Sequence, residues 1–133
     1  MTVQTLTVQW LAEALVVARL PAGAPVSALP ADAFWSLTRT HDELSLVVSA
    51  QHLPPGTQAA ESGWCALQVI GPLDFSMVGV LASIAQPLAA ARISIFALST
   101  FDTDYILLKS DTASAAEAIL KAEGFRFQNT RQE

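Results

Sequence analysis

The hydrophobic pattern of this chain changes period near its middle. In the first half, "TLTVQ", "ALVVARL", "FWSLTRT" and "ELSLVVSA" are short runs rich in β-branched and aromatic residues, the composition of strands. "THDE" between the last two predicts a turn. The segment "PAGAPVSALPAD", with three prolines and one glycine, predicts a loop with at most one helical turn. A second break, "LPPGTQAAESG" at residues 53–63, reads as a linker. It places a boundary near residue 60, between an N-terminal part, 1–60, and a C-terminal part, 61–133.

In the second half "GWCALQVIG" predicts a strand that ends at Gly71-Pro72. From Phe75 the period lengthens, with Met77, Leu81, Ile84 and Leu88 at helical spacing, so a helix is expected there, bent or ended by Pro87. "ISIFALS" and "DYILLK" predict two more strands. In "DTASAAEAILKAEG" Ser114 and Glu117 have capping-box spacing and Gly124 is placed to stop a second helix. "FRFQN" predicts a last strand. The order β-α-β-β-α-β is that of a four-stranded sheet with two helices on one face, and the fold class is α+β. In "ISIFALS" Ile93, Ile95 and Ala97 point to one face and Phe96 and Leu98 to the other, so both faces are apolar and the helix-free face calls for a cover. The first half of the chain or a second copy could supply it.

Composition narrows the class. The chain has 133 residues, 52% apolar and only 14% charged, with a formal net charge of −5 and no run of Lys or Arg. The basic footprint of a nucleic-acid-binding protein is missing. The uncharged interval between Asp74 and Arg92 is interrupted by Ser76, Ser83, Gln86 and Pro87 and falls short of a bilayer span, so no membrane partner is expected. The N-terminus lacks a signal-peptide pattern, and a lone Cys65 in an apolar strand fits a reducing cytoplasm. His41 and His52 have no partner at metal-ligand spacing, and Ser99, Thr100 and Cys65 have no base nearby in sequence, so neither a metal site nor a nucleophilic centre is expected.

The candidate chemistry lies in two segments. The loop "GPLDF" runs from a strand to a helix, where backbone N–H groups and the helix dipole favour an anion such as a ligand carboxylate; Asp74 could equally cap the helix itself. Between the strands of the later pair the chain places Ser99, Thr100, Phe101, Asp102, Thr103 and Asp104, without the Asn-Gly or Asp-Gly that usually closes a hairpin. On an extended segment Asp102 and Asp104 would share a face at roughly 7 Å; in a cleft that favours a cation between them, whereas on an exposed turn they are solvated and need no partner.

The stretch "GWCALQVIGPLDFSMVGVLASIAQPLAAARISIFALSTFDTDYILLK" resembles the small ACT-domain proteins, in particular the tandem group related to the ACT modules of aspartate kinases and of cytosolic arginine sensors. "VVARL" and "FWSLTRTHDELSLVV" resemble that group's N-terminal module in shortened form. The resemblance implies two ferredoxin-like (ACT-like) βαββαβ units in tandem, the N-terminal one abbreviated. It implies a cytoplasmic regulatory protein, not an enzyme and without a cofactor, that senses a free amino acid at an interface between units. Laid on matching positions, it implies a site of Gly71, Leu73 and Asp74 with Ser99, Thr100, Phe101, Asp102 and Asp104. The acidic hairpin favours a cationic ligand such as arginine slightly over a neutral one. A homodimer and a protein partner are expected, and the alternative is an assembly module that binds no small molecule.

Overall fold

The computed structural model describes residues 6–25, 28–71 and 78–130. Its elements are β1 (Thr7–Trp10), β2 (Leu15–Leu20), β3 (Ser36–Arg39), β4 (Leu44–Ser49), β5 (Ala59–Val69), α1 (Val80–Ala90), β6 (Phe96–Ser99), β7 (Asp104–Lys109), α2 (Ala113–Ala122) and β8 (Arg126–Phe127). Single 3-10 turns follow β4 (Ala50–His52) and β7 (Ser110–Thr112). The chain forms two compact units: residues 13–64, and the described residues up to Ala12 together with those from Cys65 on.

The C-terminal unit has the expected β-α-β-β-α-β order in β5-α1-β6-β7-α2-β8, with one addition. Its sheet runs β6-β7-β5-β1-β8, so the first strand of the chain lies between β5 and β8. That makes five strands where the sequence pattern predicts four. Strand β1 pairs antiparallel with β5 (Val8↔Val69, Trp10↔Leu67) and parallel with β8 (Val8↔Phe127). Because β8 is only two residues long, side chains complete the pairing. The Trp10 N–H donates to Asn129 Oδ1 at 2.8 Å, Asn129 Nδ2 donates to the Trp10 carbonyl at 3.0 Å, and the Trp10 indole donates to Glu117 Oε1 at 2.7 Å. One face of this sheet buries Val8, Trp10, Cys65, Leu67, Val69, Ile106 and Leu108 against Ile84 and Leu88 of α1 and Ala116 and Leu120 of α2. On the opposite face Ala66 and Leu107 are fully buried within the single chain.

Both helices depart from the expected termini. Helix α1 starts at Val80 instead of Phe75, with Gly79 as N-cap at φ 79°; the expected cap Asp74, with Leu73 and Met77, lies outside the described residues. Pro87 sits inside α1, which continues to Ala90. The helix stops through Arg92, at φ 61° in the left-handed region, while the Ile93 N–H reaches the Leu88 carbonyl at 2.9 Å. Ser114 is not the N-cap of α2: Thr112 holds that position and Ser114 lies in the first turn, while the Glu117 carboxylate accepts from the Trp10 indole and from Lys121. Gly124, at φ 100°, does end α2.

The N-terminal unit is a sheet in the order β3-β4-β2-β5, with no α-helix among its described residues. Leu20, Leu44, Leu46 and Val48 form its small core, and Ala24 and Leu29 of the Pro-rich loop pack on it where a helix would otherwise lie. Arg39 holds that loop through the Ala22 and Ala24 carbonyls. The expected linker ends sooner than residue 63, because Ala59, Ala60 and Glu61 are already strand, paired with Arg19, Ala18 and Val17. Between that register and the Leu15↔Trp64 pair β5 has one residue more than β2, and Gly63 at φ 85° absorbs this bulge. The backbone groups of β2 need partners, which outweighs the low strand propensity of "AAESG".

A repeat is visible at this level. Strand β3, strand β4 and the turn Ala50–His52 recur sixty residues later (36→96, 44→104, 50→110) as β6, β7 and the turn Ser110–Thr112.

Two stability changes follow. Asn129→Ala removes both hydrogen bonds to the Trp10 backbone and should lower unfolding free energy by roughly 1–3 kcal/mol. Arg92→Gly relieves a left-handed non-glycine residue and should raise it by about 1 kcal/mol. Urea unfolding measures both, and an Asn129→Ala protein as stable as the parent would show that the β1 clamp carries no weight.

Candidate functional site

The β6–β7 hairpin pairs Ser99 with Asp104 and turns through Thr100-Phe101-Asp102-Thr103. No residue of this turn has a positive φ, so it does not need Asn-Gly. Thr100 closes it instead. Its N–H donates to the Thr103 carbonyl at 2.8 Å, and its hydroxyl accepts the Thr103 N–H at 3.3 Å and donates to the Thr103 carbonyl at 3.2 Å. The β3–β4 hairpin does the same with Thr40, whose N–H donates to the Glu43 carbonyl at 2.9 Å and whose hydroxyl accepts the Glu43 N–H at 3.1 Å.

Comparing the two hairpins separates what the turn requires from what it does not. Thr40 and Thr100 coincide in the repeat, as do Asp42 and Asp102, so these positions go with closing the turn. Ser99 and Asp104 correspond to Arg39 and Leu44. The hydrogen bond from Ser99 Oγ to Asp104 Oδ1, 2.7 Å, therefore belongs to the C-terminal hairpin alone, and it orients a half-buried carboxylate at the strand end.

Thr103 ties this hairpin to the strand that leads into the "GPLDF" loop. It is 5% exposed, and its hydroxyl donates to the Val69 carbonyl at 2.5 Å. Strand β7 lies beside β5, so Asp104 and the exit of β5 at Gly71 come to the same side of the unit. Thr103 belongs to the polar stretch read from the sequence but not to the expected site; no local pattern marks it, because its partner Val69 is 34 residues away.

The other expected positions divide. Gly71 is exposed just beyond β5, and Phe101, 80% exposed, stands with Asp102 at the hairpin tip. Asp102 lies in the turn instead of on an extended segment, so it does not share a strand face with Asp104. Ser99 and Thr100 have their hydroxyls committed to Asp104 and to the turn. Leu73 and Asp74 fall outside the described residues. Among the described residues no three His, Cys, Asp or Glu side chains converge on a metal position, and no helix is long and apolar enough to cross a membrane. Cys65 is buried, with its thiol donating to the Leu108 carbonyl at 3.4 Å, which makes it a core residue.

Asp102 acts on Tyr105, the single tyrosine of the chain. Burial first, and the Asp102 carboxylate second, raise the Tyr105 phenol above its ordinary value. A raised pKa means that the folded state holds the proton more tightly. This contribution to stability is present below the unfolded pKa of about 10 and is lost as pH rises through the folded one. Ultraviolet titration of tyrosinate should give a midpoint above that of free tyrosine. Asp102→Asn should lower it only part of the way, because burial remains; a midpoint indifferent to Asp102→Asn would remove the carboxylate from the hairpin's electrostatics.

A sequence model of the ACT domain matches residues 59–122. The Bos taurus protein called cytosolic arginine sensor for mTORC1 subunit 1 is 32% identical over 100 residues, which cover 68% of this chain and 30% of the sensor. The chain thus spans about a third of that relative's length. A crystal structure of an Agobacterium tumefaciens protein superposes with a TM-score of 0.87 at 29% identity, covering 98% of each chain. The aspartate kinase of Synechocystis superposes with a TM-score of 0.63 at 15% identity, over 96% of this chain and 28% of the kinase, and shows a shared fold. The matched segment contains β5, α1, β6, β7 and α2, the elements that build the hairpin and its support, and this segment is an ACT domain.

Proposed function

We propose that the chain is a regulatory ACT protein that binds a free amino acid where the exit of β5 at Gly71 meets the β6–β7 hairpin. The observation that carries this reading is the buried hydrogen bond from Thr103 to the Val69 carbonyl, which seats the acidic hairpin beside the end of β5. In this reading Asp104, oriented by Ser99, receives the ligand ammonium, Asp102 adds negative charge, and Phe101 lies against the ligand. Gly71 and the following Leu73 and Asp74 form the segment that receives the ligand carboxylate, using backbone N–H groups. A cationic amino acid, arginine ahead of the others, suits two carboxylates, and the arginine sensor named above supports that choice. No cofactor and no catalytic step belong to the proposal. The shortened N-terminal unit, a homodimer and a protein partner in the cytoplasm complete it: binding alters the surface that the partner reads.

Calorimetric titration with the twenty amino acids should show saturable binding of at least one. Asp104→Asn should weaken it by about 1.5 to 3 kcal/mol through loss of a charge-assisted hydrogen bond, with little effect on folding stability. If no amino acid binds at millimolar concentration, or if Asp104→Asn binds as well as the parent, the sensor reading falls and an assembly module without a small ligand takes its place.

Thr103→Val keeps the side-chain shape and removes the hydroxyl. It should lower stability by roughly 1–3 kcal/mol, since the Val69 carbonyl loses its buried donor, and should weaken the same ligand. Binding that survives Thr103→Val unchanged would show that the hairpin's seat on β5 does not matter to the site.

A further inference from the structure

The N-terminal unit contains a groove of about 720 Å³ that shares no residue with the hairpin site. It opens at the end of β4, where the 3-10 turn Ala50–His52 is followed by Leu53-Pro54-Pro55; in the repeated segment the corresponding turn, Ser110–Thr112, leads directly into α2. Its walls come from Glu13 and Ala14 ahead of β2, Pro30, Asp32 and Ala33 of the Pro-rich loop, and Ser49 to His52. The volume is within the range of small-molecule sites.

The lining selects among ligands. Glu13 and Asp32 bring two carboxylates, and among the described residues no Lys or Arg lines the groove, so the charge described there is negative and disfavours an anionic ligand. His52 is held by a hydrogen bond of 2.8 Å between its Nδ1 and Ser49 Oγ, which fixes the imidazole in the wall. Glu13, Asp32 and His52 line one groove yet do not converge as a metal-ligand set, which disfavours a bare divalent ion and favours a polyatomic cation that can reach separated groups. Ala14, Pro30, Ala33 and Ala50 supply apolar surface for an aliphatic body.

We propose that this groove is a second binding site, for a small aliphatic cation carrying ammonium or guanidinium groups, with Glu13 and Asp32 as its charge partners and His52 as a hydrogen-bonding wall. It is independent of the amino-acid site at the hairpin.

The test is titration of the ¹⁵N-labelled full chain with 1,5-diaminopentane at constant ionic strength, followed by amide shifts. Saturable shifts are expected at residues 13–14, 30–33 and 49–52, with none from pentane-1,5-diol at the same concentration. The Glu13→Gln/Asp32→Asn double variant should keep the parent spectrum elsewhere and bind about tenfold more weakly or worse. Asp104→Asn should bind the diamine as the parent does, which separates failure here from failure of the hairpin site. Absence of saturable shifts at millimolar diamine, equal shifts with the diol, or undiminished binding by the double variant would overturn the proposal.

Discussion

The core of the C-terminal unit closes only when the chain's first strand lies between β5 and β8. Val8 and Trp10 of β1 belong to the same buried cluster as Leu67, Ile84 and Leu120, and β5 would otherwise present unpaired backbone groups along that edge. Strand β8 is too short to hold β1 through its own ladder. The polar clamp of Asn129 and Glu117 on Trp10 does what further strand residues would do. Contacts across sequence separations of 107 and 119 residues therefore decide whether the sheet behind the hairpin forms at all.

Once that sheet is in place, the hairpin geometry has little freedom. Thr100 closes the turn from within and Thr103 anchors it from below, so the ring of Phe101 and the carboxylates of Asp102 and Asp104 are presented by a rigid support. The hairpin repeated sixty residues earlier shows that a turn of this shape does not require Ser99 or Asp104. Asp104 and the hydrogen bond it receives from Ser99 are thus features of this hairpin that closing the turn does not account for.

The two units use the repeated hairpin differently because their surroundings differ. In the C-terminal unit two helices cover the sheet, and the turn after β7 feeds α2. In the N-terminal unit prolines at 21, 25 and 30 disfavour a helix, a loop pinned by Arg39 covers the core instead, and the chain after β4 turns away at Pro54-Pro55, beside the groove.

The amino-acid pattern by itself determined the strands, the two helices, the β-α-β-β-α-β order and the stop of α2 at Gly124, since these depend on local periodicity and on residues with restricted or permissive backbones. It also located the polar hairpin. Tertiary structure alone decided the rest. "AAESG" became strand because β2 required partners, and the N-terminal strand joined the C-terminal sheet because a two-residue β8 cannot satisfy an edge. The Glu117 carboxylate, on the first turns of α2, took the Trp10 indole as a partner. In each case a local preference worth a fraction of a kcal/mol yielded to buried hydrogen bonds and apolar packing worth several, and those partners are far apart in the sequence.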